Sequence, residues 1–218
     1  MKIAPIAIVL LGLSIGGCAT SNISYDPPAQ RSVVNKIDIN EPFDVVWDRL
    51  VRKLSEDFFV INNIEKSSKI INVSFSSSQP YQFVDCGFTT RTFENVRGKQ
   101  TFSYKAADSS SYITTGNGNI AFRVSRSTKL EGRSNIYVSP VDATKTSVSI
   151  NTKYVFSVKL NLLTLDGAPG GSIPDQTVDF TTKDPGTFHL VDQNQPAVKC
   201  SANGVLEDKI LRYVRGEN

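Results

Sequence analysis

The chain has 218 residues, 39% of them hydrophobic, with 24 Lys and Arg against 21 Asp and Glu for a formal charge of +3. This composition suits one large domain or two small ones, and it excludes collagen, coiled coil, a disordered polyanion and a multi-span membrane protein. Three surplus charges are too few for a nucleic-acid footprint, and one histidine, His189, rules out a His-rich metal site or a two-histidine relay.

The first element is an address. Met1-Lys2 precedes an apolar run from Ile3 to Leu13, followed by Ser14-Ile15-Gly16-Gly17 and Cys18. One cation ahead of about ten apolar residues has the layout of a secretory signal. The run is too short to span the hydrocarbon core, which takes about 20 apolar residues. Ile15-Gly16-Gly17-Cys18 resembles the lipobox of bacterial lipoproteins, with Ile15 where the usual pattern has Leu. The resemblance implies that residues 1–17 are a signal peptide and that Cys18 carries diacylglycerol, usually with N-acylation as well. Such a palmitate-type anchor holds a protein on a membrane without further help. By the same resemblance, Ala19 stands where an aspartate would retain the protein at the inner membrane. Outer-membrane sorting, facing the periplasm, is therefore expected. Ala19 to Arg31 lacks an apolar period and contains Pro27-Pro28, so residues 18–31 read as the lipidated cysteine and a flexible tether. At about 3.3 Å per residue that tether would reach up to about 40 Å.

From residue 32 to 216 the pattern is that of a single α+β domain. Val33 to Ile39 make a first strand. Asn40 is placed to cap a helix, Pro42 suits its first turn, and Phe43, Val46, Trp47, Leu50, Val51, Leu54 and Phe58 form one apolar stripe. Strand signals follow at Phe59–Ile64, Ile70–Phe75, Phe83–Phe88, Thr101–Lys105, Asn119–Ser127, Asn135–Pro140 and Thr146–Val158, with Thr177–Thr182 weaker. The clearest alternation runs from Thr146 to Val158 and predicts a long strand with one wet face. Cys200 to Arg215 switches to helical period through Val205, Leu206, Lys209, Ile210 and Tyr213 or Val214, with Ser201 or Asn203 as cap. Arg123, Arg126, Lys129 and Arg133 are expected around a solvated hairpin tip.

Cys86 and Cys200 remain once Cys18 is assigned to lipid. In an exported chain they most economically form one disulfide, because the envelope is oxidising; two buried thiols are the alternative. The bridge would tie the Phe83–Phe88 strand to the start of the last helix. A metal site is not expected, since two thiolates and a distant histidine give no zinc spacing.

Catalytic signals are absent from the pattern. No Gly-x-Ser-x-Gly elbow occurs. Gly116-Asn117-Gly118 lacks the third glycine of a dinucleotide fingerprint and suits a hairpin turn. Asp44/Asp48 and Glu56/Asp57 fall on the wet side of the first helix. The chain thus reads as a protein without catalytic residues, cofactor or metal.

The unit Ile39-Asn40-Glu41-Pro42-Phe43-Asp44-Val45-Val46-Trp47-Asp48-Arg49-Leu50 and the strand after it resemble the start of BamC-like helix-grip lipoprotein domains. Val84-Asp85-Cys86-Gly87 and the segment Cys200-Ser201-Ala202-Asn203-Gly204-Val205-Leu206-Glu207 look like a related set of lipoproteins. The resemblance implies an antiparallel sheet with one helix near the N-terminus and one at the C-terminus packed on one face. Two functions fit: a non-enzymatic interaction or accessory module of an envelope assembly, or a pocket for a lipid or other small apolar ligand. The expected partners are the membrane, through the anchor, and an envelope protein, with no nucleic acid. Large side chains plugging the sheet interior (Phe122, Tyr154, Phe156) would favour the first; an open cavity would favour the second.

Overall fold

A computed structural model describes residues 19–189 and 196–217, so the signal segment and Cys18 lie outside the described residues. In chain order the elements are β1 (Thr20–Asp26), β2 (Lys36–Ile39), α1 (Phe43–Ser55), β3 (Val60–Glu65), β4 (Ile70–Ser77), β5 (Val84–Asp85), β6 (Phe88–Asn95) and β7 (Gly98–Lys105). There follow β8 (Ser110–Thr115), β9 (Ala121–Pro140), β10 (Thr146–Thr164), β11 (Pro169–Ser172), β12 (Gln176–Thr181), β13 (Gly186–Phe188), β14 (Val198–Ala202) and α2 (Val205–Arg215). The fold is α+β: mostly antiparallel sheet, one helix in the N-terminal region and one at the C-terminus.

Strands β9 and β10 are the spine. They pair antiparallel along their whole length, from Thr146↔Pro140 to Thr164↔Phe122. The outer edge of β10 is shared in turn by β2, β12 and β11, and that of β9 by β4 and β8. Alternate residues of the spine are buried. Leu130, Ile136, Val138, Val148, Ile150, Tyr154 and Phe156 are fully covered and form one core with Val46, Trp47, Leu50 and Leu54 of α1 and Leu206, Ile210 and Val214 of α2.

The segment read as a hairpin tip is mid-strand. Around it β9 continues without a break, because Gly132 is there for close approach: a Cβ on it would come within 2.1 Å of the Phe75 ring. Arg126, expected to be solvated, is 2% exposed; its guanidinium donates to the carbonyls of Asp108 and Ala106. It belongs to a second, smaller core with Arg91, Phe93, Tyr112 and Val124, in which the Arg91 guanidinium lies 4.3 Å from the Tyr112 ring centre. Two arginines stay buried there because each is met by carbonyls or aromatic faces.

The expected tether is also corrected. Thr20–Asp26 is a strand, paired along all seven residues with β6 and completing a three-stranded sheet in the order β1-β6-β7. Ser21, Ile23 and Tyr25 face inward, a period-two pattern that its serine conceals. Ser21 Oγ lies 2.7 Å from Thr115 Oγ1. At the other end the Tyr25 hydroxyl accepts from Lys199 N–H at 2.9 Å and sits 3.0 Å from the carbonyl of Cys86. Burial raises the Tyr25 phenol above its ordinary value, so the hydroxyl keeps its proton.

The helices begin differently from the sequence expectation. Pro42, not Asn40, occupies the position before α1, and its carbonyl accepts from Val46 N–H. Asn203 does act at the start of α2, its Oδ1 accepting from Val205 N–H at 3.0 Å. Arg49 joins the helices: its guanidinium grips both Glu41 carboxylate oxygens, at 2.7 and 3.1 Å, and reaches the Val214 carbonyl.

Candidate functional site

Cys86 and Cys200 form a disulfide, both buried. The bridge ties the β5–β6 junction to the middle of β14, not to α2, which starts five residues after Cys200. The final helical pattern was thus expected to begin too early. Val198–Ala202 is a strand pairing with β13 and β5 because alternate residues Val198, Cys200 and Ala202 are buried.

Beyond the bridge, an apolar groove opens between α2 and the end of β4. It has a volume of about 650 Å³ and is lined by Phe58, Ser76, Ser77, Phe83, Val205 and Lys209 together with Gln82. Phe58, expected to end the α1 stripe, lies past that helix and is 43% exposed. Its ring stands 6.1 Å from Phe83 and 5.8 Å from Phe75. Opposite, Val205 at the first position of α2 is 46% exposed. Pairing of β3 with β4 reaches no further than Val60↔Ser74, so Ser76 and Ser77 leave the β3 side of β4 open. Their other side is taken by β9. A strand edge and three apolar side chains therefore converge.

Charge at the rim is fixed by one carboxylate. Lys209 Nζ lies 2.8 Å from Asp57 and 4.6 Å from the centre of the Phe58 ring, and the Tyr213 hydroxyl donates to the same carboxylate. Burial works to raise the Asp57 carboxyl, but Lys209, Tyr213 and the Phe58 N–H together hold it below its ordinary value. A carboxyl so depressed adds stability above its unfolded pKa, about 3.9, and that contribution is lost as pH falls through the lower folded value. Asp57→Asn is expected to cost about 1.5–3 kcal/mol near neutral pH, the range for hydrogen bonds to a charged group. Denaturant titrations should show the difference between variant and parent shrinking below about pH 4. The sequence had placed Asp57 on a wet helix face; in fact it follows α1 and is drawn in by α2.

The other chemistry-bearing residues do not assemble. His189 is exposed directly after β13. Asp44 and Asp48 share Lys66 on the surface of α1. Gly116 to Gly118 lie in the β8–β9 connection, whose flanking strands pair as Thr115↔Ala121, as a hairpin requires. Among the described residues no group of three or more His, Cys, Asp or Glu side chains gathers where a metal could sit. No described helix is long and apolar enough to cross a membrane.

One carboxylate escaped sequence reading. Glu207 is wholly buried, its Oε1 accepting from the Tyr154 and Thr182 hydroxyls at 2.8 Å each, while Oε2 has no hydrogen-bond partner. A carboxylate in the first turn of α2 suits the helix dipole, and nothing in its spacing marks it as buried. It touches none of the groove residues in these contacts and acts from inside the core. Burial, above all, and the Glu207 carboxylate beside it push the Tyr154 phenol far up, so that hydroxyl donates at every ordinary pH.

No protein-family model matches the chain, and neither a curated protein nor a solved structure is significantly similar to it.

Proposed function

We propose that this chain is a bacterial lipoprotein, lipid-anchored through Cys18 to the periplasmic face of the outer membrane. It acts there as a non-enzymatic interaction module of an envelope assembly. Its two helices close over one face of a single sheet in a helix-grip-like arrangement, and the groove beside α2 receives an extended segment of a protein partner. The observation that carries this reading is the open edge of β4 at Ser76 and Ser77 beside Phe58, Phe83 and Val205. An extended chain added there gains main-chain hydrogen bonds and sets one apolar side chain into the groove.

The filled core favours this reading over a lipid or small-ligand pocket. Tyr154 and Phe156 are fully buried among Leu130, Ile150 and Leu206, where an apolar ligand would need space. Phe122, expected with them, stands instead at the far end of the spine.

Val205→Arg tests the reading, because it fills the groove from an exposed position without touching the core. Affinity purification from detergent-solubilised envelopes should recover a partner with the parent and lose it with the variant, the Cys86–Cys200 bridge being retained in both. Equal recovery by folded parent and variant would reject the groove as the docking site.

A further inference from the structure

One end of the molecule gathers three exposed apolar residues on three separate turns. Val96 sits in the β6–β7 turn and is 78% exposed, Ile120 precedes β9 at 54%, and Leu165 follows β10 at 46%. Turn tips are normally given to Gly, Asn, Asp or Ser, so an apolar residue at each of three adjacent tips calls for a partner that takes it out of water.

The three turns are neighbours. Thr20 pairs with Glu94, next to the Val96 turn. Ser21 contacts Thr115, where β8 runs into the Ile120 turn. Phe122, two residues on, lies against both Gly116 and Gly170 and pairs with Thr164, where the Leu165 turn begins.

The same end is where the chain enters the fold. β1 begins at Thr20, and with the tether absorbed into the sheet no slack remains. Two peptide steps separate Thr20 from residue 18, at most about 7.6 Å between Cα atoms. Arg97, Lys99 and Arg123 are exposed here, with Glu94 and Asp166 as the acidic residues. The Asp166 carboxylate is engaged by the Thr164 hydroxyl.

We propose that this end rests on the lipid surface, with Val96, Ile120 and Leu165 reaching into the headgroup layer beside the anchor and the β9–β10 spine rising from it. Part of this rests on the lipoprotein reading, since the anchor supplies the attachment and the turns supply orientation. The geometry also places the groove. Ser77 pairs with Leu130, nine residues along β9 from Ala121, so Ser76 and Ser77 stand roughly 30 Å out at about 3.3 Å per residue. A partner in the periplasm can reach them.

The test uses the full chain expressed in a Gram-negative host, with a diazirine-bearing amino acid placed singly at position 96, 120 or 165. Val141, 55% exposed in the β9–β10 turn at the opposite end, is the control. Membranes are irradiated, lipid adducts are quantified, and the N-terminal peptide is analysed for acylation of Cys18. Lipid adducts at the three turns, several-fold above those at position 141, support the proposal. Acylated Cys18 with no excess at the three turns overturns the proposal and leaves the anchor intact. Unacylated Cys18 with the excess still present supports a lipid-facing end and overturns the anchor. Neither signal overturns both. The substituted positions are solvent-exposed, and an intact Cys86–Cys200 bridge in each sample reports folding.

Discussion

Opening the Cys86–Cys200 bridge is expected to cost about 4–5 kcal/mol, because the two cysteines are 114 residues apart and their link removes much of the unfolded chain's freedom. That is a large share of the 5–15 kcal/mol that holds a domain together. The loss should concentrate where the bridge acts. β5 and β13 are short strands that depend on β14, and the Tyr25 hydroxyl ties β1 to the same place. Denaturant unfolding with and without reductant gives the magnitude. Hydrogen exchange should show amides of β14 and the Tyr25 end of β1 losing protection before those of α1. Coincident unfolding curves for the bridged and reduced protein would remove the bridge from the account of stability.

The parts of the fold legible in sequence were those where one signal acted alone. Val148, Ile150, Thr152, Tyr154 and Phe156 alternate without interruption, and the strand they mark is the longest run of clear pattern in the spine. The α1 stripe was legible through Leu54 for the same reason. Failures came where a residue's type and its position disagreed. Gly132 reads as a turn, yet it lies inside a strand because the Phe75 ring needs the space of a missing Cβ. Arg126 reads as surface, but its charge is met by carbonyls from a segment twenty residues away. In β1 the inward positions are Ser21, Ile23 and Tyr25, so only two of three are apolar, and Pro27-Pro28 suggested tether for all of it. The groove was invisible for another reason. Phe58, Ser77, Phe83 and Val205 meet only through tertiary packing, and nothing in their spacing joins them.

Glu207 shows the same conflict at the position with the largest structural consequence. On α2 the buried residues are Leu206, Glu207, Ile210, Leu211 and Val214, a stripe at steps of three and four. The periodicity in the sequence runs through Leu206, Ile210 and Val214 but also takes in Val205 and Lys209, which instead line the groove. The carboxylate therefore helps set which face of α2 is presented to a partner.

Glu207→Ala is expected to destabilise the protein by about 3–5 kcal/mol. It strands the Tyr154 hydroxyl at about 1–3 kcal/mol, leaves the Thr182 hydroxyl only its longer contact to the Thr152 carbonyl, and opens a void beneath α2. Glu207→Gln keeps a carbonyl oxygen where Oε1 accepts both hydroxyls but puts amide N–H donors where Oε2 has no partner, so its cost should be about 1–3 kcal/mol and smaller than that of Ala, which loses the acceptor and the packing together. Replacing Glu207→Leu and Tyr154→Phe together removes a donor with its acceptor, while Thr182 stays as acceptor for the buried Thr152 N–H, so this double variant should recover most of what Ala loses, as when buried polar clusters are exchanged for apolar ones. Denaturant midpoints of the three proteins give the order: Gln and the double variant nearer the parent, Ala far below. The groove provides a second readout, since an α2 no longer held through Glu207 should present Val205 and Lys209 less precisely. Partner recovery should fall with Ala even at temperatures where the domain is still folded. If Ala and Gln are equally stable, the two hydroxyls have found other acceptors, and the orientation of α2 rests on Leu206, Ile210 and Val214 alone.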